Sequence, residues 1–84
     1  MRLPIIKHTL SFIEENDEDW VVESIELLEH LAEAKGIKEE EVEVIGELLS
    51  NLYGAVEVNK DIRGGTSQKE ALNKFMKRVT GSIN

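Results

Sequence analysis

The sequence predicts an all-α fold: a four-helix up-down-up-down bundle with a long third helix. Three observations predict it. Apolar residues recur at helical spacing along the chain, and no sustained period-two run bounded by turn residues marks a strand. Helix-start chemistry and helix-stop glycines fall between the periodic stretches. The connections are only a few residues long, which makes sequential helices antiparallel neighbours. The four segments, 4–15, 17–35, 38–63 and 67–80, use nearly all of the 84 residues, so 1–84 reads as a single helical domain.

The first helix runs from Pro4 to Glu15. Proline suits a first helical position, where its missing N–H costs nothing. Leu3, Ile6, Leu10 and Ile13 form its apolar stripe, widened by Ile5 and Phe12. Asp17 is a good N-cap for the second helix, and Glu18 and Asp19 follow where the helix dipole favours anions. Trp20, Val21, Ile25, Leu27, Leu28, Leu31, Ala32 and Ala34 fill about half its circumference. Gly36 reads as its left-handed C-terminal residue, with Ile37 folding back onto the last turn.

The third helix covers 38–63, opening on Glu39, Glu40 and Glu41 and closing on Lys60 and Arg63. Its apolar face carries Val44, Ile45, Leu48, Leu49, Leu52, Ala55, Val56 and Ile62, with Asn59 projecting from it. Gly64 and Gly65 break the chain, and Ser67 to Glu70 has the form of a capping box. The fourth helix presents Ala71, Leu72, Phe75, Met76 and Val79 on one side. Gly81 ends it, and 82–84 are expected to fray.

Composition removes several functions. There is no Cys, hence no disulfide scaffold, thiolate zinc site or iron–sulfur cluster. No apolar run approaches the ~20 residues of a membrane span, and Met1 to Lys7 lacks the apolar core of a signal peptide. A cytoplasmic protein is expected. The net charge of −7 argues against nucleic acid and permits a basic protein partner. The charge is uneven: residues 17–35 hold seven acids against Lys35 alone, whereas residues 64–84 hold four bases against Glu70 alone.

No residue is assigned a catalytic, cofactor or metal role. The two-helix Glu-x-x-His pattern of di-iron bundles is absent: Leu27 precedes His30 by three and Ile5 precedes His8 by three. The acids of the second helix point to water by periodicity, which does not suit paired acid–base catalysis. Three binding surfaces are candidates. Gly46, Ser50 and Gly54, with Tyr53 beside them, form a ridge of little bulk suited to close helix–helix approach within the bundle or with a second chain. Glu23, Glu26, Glu29, His30 and Glu33 form an acidic surface able to steer a basic partner, or simply a solvated face. Gly64, Gly65, Thr66, Ser67 and Lys69 lead into a helix N-terminus where an anion can sit weakly, though turn formation alone explains both glycines. The last helix is basic and amphipathic through Lys69, Lys74, Lys77 and Arg78, and docking on the chain's own acidic helices accounts for it.

In outline the chain resembles an acyl carrier protein. The nearest match to that family's Asp-Ser-Leu is Glu23-Ser24-Ile25, which would put the modification on Ser24. It also resembles a bacteriocin immunity protein in size, charge and helix count, without that family's Tyr-Tyr-Pro signature. The stretches Leu49-Ser-Asn-Leu-Tyr-Gly-Ala and Ala71-Leu-Asn-Lys-Phe-Met-Lys-Arg-Val79, with the opening Leu3-Pro-Ile-Ile-Lys-His8, resemble a family of small uncharacterised bacterial all-helical proteins. That resemblance implies an all-α cytoplasmic protein and no particular activity. The expected function is a non-enzymatic interaction or structural module, with a homodimer as one form of it. The alternatives are a carrier modified on Ser24, or an acidic inhibitor of a basic partner. The third helix is longer than its neighbours, and its uncovered apolar surface is the main pointer to association.

Overall fold

The computed structural model describes residues 2–81, the side chains of 80 and 81 excepted. The expected fraying of 82–84 lies outside the described residues. Four helices account for most of the chain, and no strand occurs among the described residues: α1 (Leu3–Glu15), α2 (Glu18–Ala32), α3 (Glu39–Arg63) and α4 (Gln68–Gly81). Pro4 lies in the first turn of α1. Asp17 caps α2 by accepting a hydrogen bond from the Asp19 N–H at 3.4 Å. The Glu41 carboxylate accepts from the Lys38 N–H at 2.9 Å at the start of α3. Ser67 Oγ accepts from the Glu70 N–H at 3.2 Å at the start of α4. Each contact satisfies a backbone N–H with no partner inside a helix.

The second helix is shorter than its sequence pattern suggested, ending at Ala32 rather than at residue 35. Its last turn tightens: the N–H groups of Glu33 and Ala34 reach back three residues, to His30 and Leu31. Gly36 then takes the positive φ of +87° expected of it, four residues past Ala32 rather than next to the helix. At the end of α3 the expected glycine stop is a complete Schellman motif. Gly65 has φ +108° and donates to Ile62, while Thr66 donates to Asp61.

The third helix, 25 residues long, packs against all three of the others. The first helix also meets α2, while α4 approaches neither α1 nor α2 closely along the backbone. The result is a plate of 43 × 35 × 17 Å. The core lies at one end, where Ile6 and Leu10 of α1 and Ala71, Leu72 and Phe75 of α4 close on Ala55 and Val58 of α3. No residue of α3 before Asn51 is buried. The half-buried Leu28, Leu31, Ile45 and Leu49 line the other half of the molecule, where α2 and α3 run on together.

Two residues of α3 set this packing. Gly54 is buried, and a Cβ there would fall 2.8 Å from Phe75 Cζ and 3.4 Å from Ile6 Cδ1. The bare backbone lets α1 and α4 close over α3. Gly46, two turns earlier, has nothing within 4 Å of the same hypothetical atom. Asn51 is 2% exposed and joins two segments: its Oδ1 accepts the Arg2 N–H at 2.8 Å and its Nδ2 donates to the Glu47 carbonyl at 2.8 Å. It thereby satisfies one of the open N–H groups at the start of α1.

Urea denaturation of two alanine variants separates the glycines. Gly46→Ala gains helix propensity in open space and should stabilise by up to ~1 kcal/mol. Gly54→Ala meets the confined Phe75 ring and should destabilise by about 1–3 kcal/mol. Asn51→Ala strands the Arg2 N–H and should cost about 1–3 kcal/mol in the same assay.

Candidate functional site

The surface of the plate is unusually apolar where its helices separate. Phe12 (44% exposed), Trp20 (61%), Leu27 (58%), Val44 (56%) and Leu48 (38%) all reach solvent. They belong to one continuous region by helix geometry. Pro4, Ile5, His8, Thr9 and Phe12 of α1, Val21 and Ser24 of α2 and Leu52 of α3 line a groove of about 460 Å³. Trp20 and Leu27 flank Ser24 at i−4 and i+3, on the same side of α2. Leu48 and Val44 continue the Leu52 row at i−4 and i−8. Arg2 and Ile5 line a second cleft with Val44 and Leu48, so this row runs past the start of α1 into the open. Here the extra length of α3 leaves apolar side chains without cover. Periodicity places Trp20, Leu27, Val44 and Leu48 on the apolar faces of their helices, and all four are exposed.

The ridge Gly46, Ser50, Tyr53, Gly54 is divided. Gly54 is consumed by the intramolecular contact with Phe75 and Ile6, while Gly46 and Ser50 are exposed. Tyr53 is exposed and its hydroxyl donates to the Glu29 carboxylate across α2 and α3. That hydrogen bond, aided by desolvation and the negative charge, raises the Tyr53 phenol above its ordinary value of 10.0.

The acidic surface, Glu23, Glu26, Glu29, His30 and Glu33, is exposed throughout. Glu26, Glu29, His30 and Glu33 surround a shallow depression with Ala32 and Leu49, on the flank of α2 facing away from the groove. No cluster of three metal-ligating side chains occurs among the described residues. In the anion candidate, the N–H groups of Gly64, Gly65 and Thr66 are bonded to the last carbonyls of α3. The Ser67 hydroxyl caps α4, and Lys69 lies on its exposed first turn. Ser24 sits mid-helix with its hydroxyl donating to the Trp20 carbonyl at 2.7 Å, as part of the groove wall.

The basic fourth helix is partly neutralised from within. Arg78 lies 3.7 Å from Glu57 and 3.9 Å from Asp61, with its guanidinium 5.9 Å above the Phe75 ring. Two residues after Asp61, Arg63 pairs with Glu18 at 3.1 Å, and the second oxygen of Glu18 is buried without a partner. Arg63 and Glu18 border a cavity of about 500 Å³ of mixed lining that also takes in Asn59, Gln68, Leu10 and Ile62. Sequence reading did not single out Asn51 or this cavity. Asn51 lies three residues after Leu48 and four before Ala55, so its place on the apolar face of α3 was visible in the spacing.

The Tyr53–Glu29 pair gives a titration test. The absorbance midpoint of Tyr53 should lie above 10.0, and Glu29→Gln should return it towards that value. Because the folded-state value is raised, the pair's contribution is fully present below pH 10 and lost as pH rises through the folded midpoint.

No helix of the described residues is long and apolar enough to cross a membrane. No curated protein and no solved structure matches the chain. The family model that does match spans residues 1–84, so the chain belongs to a family of unknown function, DUF6952.

Proposed function

We propose that the protein is a non-enzymatic interaction module of the cytoplasm that docks another protein over the apolar groove between α1 and α2. In this reading its four helices run up-down-up-down as an open bundle spread around α3, and no catalytic group, cofactor or metal takes part. The observation that carries it is the uncovered apolar surface. A monomer of 9.5 kDa should expose about 5,000 Å². This chain exposes 6172 Å², roughly a fifth more. Its radius of gyration is 13.7 Å against about 12 Å for a compact domain of this length. The extra area is of the order that one side of a standard protein interface buries, ~800 Å².

The test compares the intact chain with the double variant Phe12→Ser/Leu27→Ser. Both side chains are partly exposed, so each change should cost about 1–2 kcal/mol, less than a core truncation, and circular dichroism checks that the variant stays folded. Affinity capture followed by mass spectrometry should show a protein that the double variant loses, or sedimentation at high micromolar concentration should show a dimer that the variant dissolves. Identical capture by both chains, with both sedimenting as monomers, removes the proposal.

A further inference from the structure

The cations of α4 divide between two flanks of the helix. Arg78 turns to Glu57 and Asp61 of α3, and Glu70 and Lys74 precede it in the same i, i+4, i+8 row. Lys69 and Asn73 form a separate i, i+4 row on the flank nearer α1. Both are exposed, and so is Lys7 of α1. Among the described residues neither Lys7 nor Lys69 is ion-paired. The acidic helix α2 makes no close backbone approach to α4 that would bring them a partner.

These two lysines share a cleft. Because α1 and α4 each pack on α3 and not closely on one another, a channel of about 490 Å³ runs between them. Lys7 lines it from α1, and Lys69 and Asn73 line it from α4. Its apolar surface comes from the buried Leu72 and from Leu3 and Met76, which pack against the core. No carboxylate among the described residues lines it. A cleft with charges of one sign and apolar walls concentrates counter-ions of the other sign.

The surroundings give the cleft a direction. Gln68 also lines the neighbouring cavity, which holds Glu14, Asp17 and Glu18. Leu3 lies one turn before Lys7, and Met76 two turns after Lys69, both leading away from Glu14 and Gln68 along their helices. An anionic group is therefore favoured beside the lysines, with an apolar tail running towards Leu3 and Met76. The volume falls within the range of about 300–1,000 Å³ found for small-molecule sites. The net charge of −7 penalises each further negative charge on the occupant, which disfavours nucleic acid and anionic membranes. We propose that the α1–α4 cleft binds a singly charged anionic amphiphile, an alkyl carboxylate, with its head group between Lys7 and Lys69 and its chain along Leu3, Leu72 and Met76. The site lies on another flank of α1 from the docking groove, which Pro4, His8 and Phe12 line, and does not depend on it.

Titration calorimetry on the full 84-residue chain tests this with decanoate, hexanoate and decyltrimethylammonium, each kept below its micelle concentration. Decanoate should bind one per chain, at least about tenfold tighter than hexanoate, since four methylenes are added to the buried tail. It should also bind at least about tenfold tighter than the cationic probe. Lys7→Gln/Lys69→Gln should weaken decanoate about tenfold, while Lys74→Gln/Lys77→Gln, equal in charge change, should alter it by less than about twofold. Phe12→Ser should also stay within about twofold. All four lysines are exposed, and circular dichroism checks that both double variants stay folded.

Equal losses from the two lysine pairs would show diffuse attraction and overturn the assignment. So would equal binding of decyltrimethylammonium, which would show apolar adsorption alone. A loss with Phe12→Ser would move the tail to the docking groove and overturn the site. A leucine–glutamate peptide that needs Lys7 and Lys69 where decanoate does not bind would replace the amphiphile with an acidic protein segment. Absence of decanoate binding overturns the inference outright. The docking function stands or falls separately, on Phe12→Ser/Leu27→Ser.

Discussion

Everything in this fold depends on the absence of a side chain at Gly54. The Phe75 ring and the tip of Ile6 occupy the space a Cβ would need, so α4 and α1 are held against α3 at the same turn. A glycine inside a helix costs about 1 kcal/mol relative to alanine. Here that cost is offset by the burial of Phe75, Ile6, Ala55 and Val58, a set of side chains from three helices that leaves almost no exposed surface. Asn51 works one turn earlier by a different means. It accepts the Arg2 N–H and so ties the beginning of α1 to α3. Between them the two residues determine where α1 starts along the spine and how deeply both partners sit on it.

The groove is a consequence of that anchoring. With its first turn held beside Asn51, α1 cannot cover the part of α3 that lies before it. That part carries Val44 and Leu48 on the same side as Leu52, and they are therefore exposed. On the other side of the trough, the buried residues of α2 are Val21 and Ile25. Trp20 and Leu27 lie on the edge of its apolar arc and find nothing opposite. The exposed hydrophobics are thus a product of unequal helix lengths combined with one anchoring point, rather than isolated apolar side chains of the kind found on most surfaces.

Much of this was legible in the sequence. Four helices followed from periodicity, and their ends from local chemistry: Asp17, Ser67 and the Gly64–Gly65 pair each perform the capping or terminating role their type suggests. The mismatch in length of the third helix was also readable by counting residues. The occupancy of each face was less accessible. Periodicity groups Trp20 with Val21 and Ile25, and Val44 with Leu52, because they share an arc of their helix. Whether another helix stands opposite depends on where the helices cross, and that crossing depends on a single glycine whose spacing resembles that of Gly46. The end of α2 shows the same limit at short range: Ala32 and Ala34 continue the pattern, but the backbone tightens at Glu33 and leaves the helix. The candidate surfaces share this property, since the sequence located the acids of α2 but not the trough beside them.

The net charge of −7 opposes self-association of a molecule whose apolar trough is unfilled. An exposed apolar patch invites indiscriminate association, and a high net charge opposes it, most strongly between identical copies. Two cations are paired away from the trough, Arg78 with Glu57 and Asp61 and Arg63 with Glu18, while Arg2 lines the cleft beside Glu47. A domain of this size has little stability to spare, and the trough forgoes the burial that a covering helix would add. Occupation would restore that burial. Since an unfolded chain presents no trough, an occupant at a hundred times its dissociation constant would add about 2.7 kcal/mol to the folded state. Partner binding and completion of the core would then be the same physical event.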